Sequence, residues 1–179
     1  MLLSYYSLKE EEMMEDYSAK LTAEPFLYKE TKILAQYLLD GISSEELKRR
    51  NVAENLIKYK SPKSITRVNS PIFRRLNVMD NEMLYEFVNA DIETSKYILL
   101  YTIMKTDKLV RDFIVEVYKD KLLMRKEHIE KFDIDNWYEE KCILSKTLKE
   151  RTESTAAKLK QVIMKILQDS GLVIKEKNR

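Results

Sequence analysis

The stretch GISSEELKRRNVAENLIKYKSPKSITR, Gly41 to Arg67, holds the end of one helix, the whole of a second and the start of a third. Gly41 stands where a left-handed C-terminal cap belongs. Ser43 and Glu46 form a capping box ahead of Leu47, so a new helix starts there. It is predicted to run to about Lys58 and to bury Leu47, Val52, Leu56 and Tyr59. Ser61-Pro62 pairs a cap residue with a first-turn proline and opens a helix containing Ile65, Val68 and Phe73.

Outward from this stretch the helical period persists. Upstream, Pro25 suits a first helical position, and Phe26, Leu27, Ile33, Leu34, Tyr37 and Leu38 recur on one face as far as Gly41. Downstream, Pro71 interrupts the third helix, which either kinks there or ends and restarts with Ser70 as a fresh cap. Asp80 opens a short helix through Val88. Asp91 caps one from Ile92 to Lys105 that places Tyr97, Ile98, Tyr101 and Ile103 inside, and Asp107 caps another with Leu109, Val110, Phe113, Ile114 and Val117 as its apolar stripe. Asp135 starts a helix around Trp137, which is read as a core anchor. Ser154 starts the last one, striped by Leu159, Val162, Ile163, Ile166 and Leu167 and closed by Gly171. Leu172-Val173-Ile174 then forms a short strand or a plug. The fold class is all-α, about eight helices in two packed lobes, residues 1–78 and 79–179.

Several functions are excluded by composition. With two glycines in the chain there is no phosphate-cradling loop. One histidine and one cysteine, His128 and Cys142, cannot build a Cys/His zinc site, and Cys142 has no partner for an internal disulfide. No apolar run approaches the roughly 20 residues of a membrane span, and the N-terminus lacks the basic leader of a signal peptide. His128 with Glu130 is the only general-base pairing, and no nucleophile accompanies it. The chain is therefore expected to be non-enzymatic, free of metal and cofactor, and cytoplasmic.

Charge is the positive signal. Between Lys48 and Arg75 stand nine lysines or arginines and one acid, Glu54. The segment carries about +8 in a chain of net +2, so the remainder sums to about −6. A local field of that kind attracts polyanions. Two helices joined by a short turn give the segment helix-turn-helix character. Lys63, the Ser61 and Ser64 hydroxyls and the backbone N–H groups at the helix start can meet phosphates. One turn on, Arg67 can reach a guanine edge or a further phosphate. Lys48, Arg49 and Arg50 lie on the helix before, Lys58 and Lys60 at its end and in the turn, and Arg74 and Arg75 beyond Pro71. All eleven are candidate nucleic-acid contacts, with Tyr59 as a stacking candidate. The plain alternative is a solvated helical face. Against it stand the near absence of acids, the spread over two helices and their turn, and the accompanying hydroxyls. A second basic group comprises Lys141, Lys146, Lys149, Arg151, Lys158, Lys160 and Lys165, with Glu150 and Glu153 among them. Read alone it is a solvated face, and together with the first it could form one track.

These stretches also carry a family resemblance. Tyr17-Ser18-Ala19 is followed by Val52-Ala53-Glu54-Asn55-Leu56 and Lys60 to Arg67 (KSPKSITR), then by Leu109-Val110-Arg111-Asp112-Phe113 with Glu116-Val117, and by Asp135-Asn136-Trp137. Ser154-Thr155, Lys158-Leu159, Gln161-Val162, Ile166-Leu167 and Ser170-Gly171-Leu172 close the series. In order and spacing they resemble the BrxA family, small components of the BREX phage-defence systems of bacteria and archaea. The resemblance implies an all-helical, non-enzymatic protein that binds double-stranded DNA and works beside other BREX proteins. Two other readings stay open. One is an RNA-binding protein of antitermination-like fold, a similarity associated with the family. The other is an adaptor whose basic segment docks an acidic partner.

Overall fold

The computed structural model describes residues 17–173 apart from residues 19 and 127, and all regular structure among them is helical. A 3-10 turn, Lys20–Ala23, leads into α1 (Tyr28–Leu39), α2 (Ser44–Glu54), α3 (Pro62–Leu76), α4 (Asn81–Asn89) and α5 (Ile92–Thr106). Next, α6 (Lys108–Phe113) passes through a π-helical turn, Ile114–Tyr118, into α7 (Lys119–Leu123). The chain closes with α8 (Lys131–Leu144), α9 (Lys146–Lys149) and α10 (Glu153–Ser170). No described helix is long and apolar enough to cross a membrane.

Helix boundaries set by local chemistry fall where the sequence puts them. Gly41 takes φ +92°, and the N–H groups of Gly41 and Ile42 reach back to the carbonyls of Leu38 and Tyr37. The Ser43 hydroxyl accepts from Glu46 N–H at 3.3 Å, while the Glu46 carboxylate turns to Arg49 and leaves the box half made. Asp80, Asp91 and Asp107 cap α4, α5 and α6 by accepting from Met83, Thr94 and Val110. Gly171 closes α10 at φ +86°.

Other boundaries move, one because a long-range contact overrides the local signal and the rest because a different local cap wins. Pro25 lies outside α1, which begins at Tyr28 after Leu27 in the left-handed region at φ +55°. The guanidinium of Arg75 binds the carbonyls of Pro25 and Phe26 at 2.9 and 3.0 Å, and this holds that segment out of a first helical turn. Helix α2 stops at Glu54, short of Lys58. Asn55, at φ +54°, brackets Tyr59 by accepting from its N–H and donating to its carbonyl, both at 2.7 Å. Pro71 neither ends nor restarts α3, which is helical from Pro62 to Leu76. A mid-helix proline costs about 3 kcal/mol. Burial of Ile65, Val68, Ile72, Phe73 and Leu76 offsets that at about 1.5–3 kcal/mol each. Helix α8 starts at Lys131 rather than Asp135, through a reciprocal box of Glu130 and Asp133. In α10 the cap is Thr152, not Ser154.

The helices pack α1 on α4, α2 on α3, α3 on α5, and α10 on α5, α8 and the 3-10 turn. Their apolar faces form one buried cluster that includes Leu34, Leu47, Ile72, Phe87, Phe113 and Ile163. Trp137 is buried and meets Phe113 edge-on at 5.0 Å between ring centres. Tyr97 and Tyr101, expected inside, are 40% and 46% exposed, and α5 turns Leu99, Leu100 and Ile103 inward instead. Ile33 and Val52 are likewise on the surface. Val173 is buried as a plug, its N–H on the carbonyl of Leu167, while Ile174 lies outside the described residues.

Candidate nucleic-acid interface

Two asparagines fix α2 on α3. Asn51 and Asn69 each lie four residues after a buried apolar residue, Leu47 and Ile65, and are themselves buried. Asn51 donates its amide to the Asn69 side-chain carbonyl at 2.6 Å and accepts from Ile57 N–H at 3.3 Å. Asn69 donates to the carbonyl of Lys48 at 3.2 Å. Buried amides hold their place only when paired, so this network sets both the docking of the helices and the path of the link between them. The sequence reading missed both residues, although their i+4 spacing from core positions put them on the inner face. That link runs from Asn55 to Ser61, longer than the three- or four-residue turn of a helix-turn-helix unit.

Within the link, Lys58 adopts φ +57°, and both Lys58 and Lys60 are exposed. Tyr59 between them is half-buried, and its hydroxyl donates to Glu30 at 2.9 Å. Burial, then the Glu30 hydrogen bond, pushes its pKa up to about 12. Tyr59 is thus tied to α1 and is not a free stacking platform. Ser61 precedes the Pro62 start in extended conformation without a side-chain cap hydrogen bond, and Ser61 and Ser64 are half-buried.

The basic residues separate into three groups. Lys48, Lys58, Lys60, Lys63 and Arg67 are exposed and make no ion pair among the described residues. Arg49 pairs with Glu46, and Arg50 holds Glu54 through two hydrogen bonds at 3.0 and 3.2 Å. That contact lowers the Glu54 pKa and raises that of Arg50. Arg74 pairs with the buried Glu24, and Arg75 is 1% exposed. Arg75 is therefore not a surface contact: it lies seven residues after Val68, on the face that α3 turns to the core. Acids do interleave with this segment, from Glu24 and Glu46 outside it as well as from Glu54.

On α3 the exposed stripe is Lys63, Thr66, Arg67 and Ser70, at i, i+3, i+4 and i+7. A groove of about 640 Å³ flanks it on one side, where Lys48, Arg49 and Val52 of α2 face Thr66, Asn69 and Ser70. On the other side a cleft of about 400 Å³ brings Arg67 against Lys158, Gln161 and Lys165 of α10, with Thr22 and Pro25 opposite. Among the described residues neither lining contains an acid.

The second basic group is largely paired elsewhere. Lys141 binds Glu116 at 2.6 Å, Lys160 binds Asp135, and Lys146 lies 3.7 Å from Glu150. Lys158 donates to Gln161 at 3.0 Å, and Lys165 to Asp169 at 2.6 Å. Cys142 has its pKa raised by burial, the opposite of a reactive thiol. Among the described residues no cluster of His, Cys, Asp or Glu could hold a metal ion.

The BrxA family profile matches residues 15–179. A BREX protein BrxA of Bacillus cereus is 30% identical over 161 residues, covering 90% of this chain and 80% of that protein. Another, of Escherichia coli, is 24% identical over 156 residues, 86% of this chain and 72% of that one. The crystal structure of an uncharacterized protein from Magnetospirillum magneticum has the same fold, with a TM-score of 0.75 at 20% identity over 90% of this chain and 83% of its own. With α2, α3 and α10 all inside the matched residues, the chain belongs to the BrxA family.

Proposed function

We propose that this chain is a non-enzymatic accessory protein of a BREX phage-defence system that binds double-stranded DNA through the α2–α3 segment. It works in the cytoplasm beside other BREX proteins. One observation carries the reading: Lys48, Lys58, Lys60, Lys63 and Arg67 stand exposed without an ion-pair partner among the described residues, and two of them, Lys48 and Arg67, line grooves whose described linings hold no acid. Cations left unpaired in a chain with almost as many acids as bases are a polyanion's footprint.

The test is a salt-titrated duplex-binding measurement on the wild-type chain and on K63E/R67E. Both side chains point to solvent, so the double variant should keep its far-ultraviolet dichroism and lose duplex binding. Wild-type affinity in the variant would remove the segment from the interface. Competition between duplex DNA and structured RNA at matched salt decides the nucleic acid, and preference for RNA would replace this reading.

A further inference from the structure

The grooves on either side of α3 suggest how a duplex would sit, granted the DNA-binding reading above. We infer that the Lys63–Ser70 half of α3 enters the major groove. One bounding phosphate strand then lies against Lys48 and Arg49, and the other against Lys158 and Lys165 of α10.

Size, chemistry and charge agree on this arrangement. A helix with its side chains is about 10–12 Å across, and the major groove of B-form DNA is about 12 Å wide. The exposed stripe that would face base edges carries two hydroxyls, Thr66 and Ser70, with Lys63 and Arg67. These side chains can bond base edges, arginine and lysine favouring guanine. Charge is placed to the sides of that stripe, where the phosphates of an entered groove run. Lys158 and Lys165 stand two turns apart, about 10.5 Å along α10, against about 3.4 Å of helix rise per phosphate on one strand. They can therefore meet separate phosphates. Lys158 is held by a neutral glutamine, and Lys165, itself exposed, by a half-buried i,i+4 carboxylate in a surface pair of the kind that contributes little. The far wall of the cleft is fixed, because Arg75 holds the backbone of Glu24, Pro25 and Phe26 from beneath. The inference gives part of the second basic group a role that its surface pairing conceals.

Two measurements on the full chain test it. The first is the slope of log K against log salt for a labelled duplex. K158Q/K165Q should lower the slope by about 1.8, at about 0.9 per phosphate contact, and should leave the unfolding midpoint in place. K48Q/R49Q should do the same. The second is protection from dimethyl sulfate, which methylates guanine N7 in the major groove and adenine N3 in the minor groove. Bound protein should protect guanine N7 and leave adenine N3 open. A wild-type slope in K158Q/K165Q, with duplex binding intact, overturns the two-strand arrangement alone. Protection at adenine N3 with guanine N7 open overturns the groove assignment. A wild-type chain that binds no duplex overturns the DNA-binding reading and this inference with it.

Discussion

The guanidinium of Arg75 lies beneath the segment entering α1 and donates to the carbonyls of Glu24, Pro25 and Phe26, while its Nε finds no partner among the described residues. Burial pushes its pKa down to about 10, against an upward pull from Glu24. A lowered pKa on a base means the folded state holds the proton less tightly than the unfolded chain. The buried charge thus costs stability in full below pH 10, and the cost is relieved as pH rises from there towards the ordinary arginine range. Removing the side chain is worse than keeping it, because three carbonyls lose their donor and Glu24 and Asp107 lose a nearby positive charge. Arg75→Met should destabilise by about 3–5 kcal/mol in urea unfolding. The folded molecules should keep most of their duplex affinity, unlike K63E/R67E. Loss of binding without loss of stability would return Arg75 to the interface. The sequence counted Arg74 and Arg75 as surface charges because a charge tally has no direction. The direction was legible: Arg75 follows Val68 and Ile72 on the inner face of the same helix.

At the scale of elements, what could be read was what is decided within a few residues. Gly41, Ser43, Asp80, Asp91, Asp107 and Gly171 bound helices because their own backbone or side chain satisfies the helix end. Pro25 was misread because a distant residue, Arg75, claims its carbonyl and that of Phe26, and Asp135 because Glu130 and Asp133 start the helix one turn earlier. Asn55 was misread for another reason: it closes its own loop on Tyr59. The Asn51–Asn69 contact joins two helices across their interface and sets how α2 sits on α3. In a double-mutant cycle, N51A and N69A should each destabilise, and together by less than their sum, with a coupling of about 0.5–3 kcal/mol. Additivity would mean that the two amides stand alone. N51A also frees the amide of Ile57, whose exchange with solvent should then speed up relative to the core of α3. Because Lys58 and Lys60 follow on that loop, the same variant should weaken duplex binding without removing a charge.

Over the whole molecule, the all-helical class was legible because capped amphipathic segments follow one another along the chain. The packing order was not, since α10 meeting the 3-10 turn brings together residues more than a hundred positions apart. That packing carries Lys158 and Lys165 to Arg67 and turns two sequence patches into the walls of one cleft. The balance of charge is equally a property of the whole. Of the segment's nine cations Arg75 is buried and three more are paired, so the five exposed and unpaired among the described residues, set against a remainder of about −6, are what can orient a polyanion before contact. The groups assigned to the interface are lysines and arginines, residue types that are cationic near neutral pH, as backbone phosphates are anionic. His128, the only histidine, lies on the link between α7 and α8 and lines neither groove. Duplex affinity at fixed ionic strength should therefore stay flat from pH 6 to 8 and fall steeply with salt at either end of that range. A strong pH dependence there would place side chains other than lysine and arginine at the bound DNA, and would move the interface away from α3.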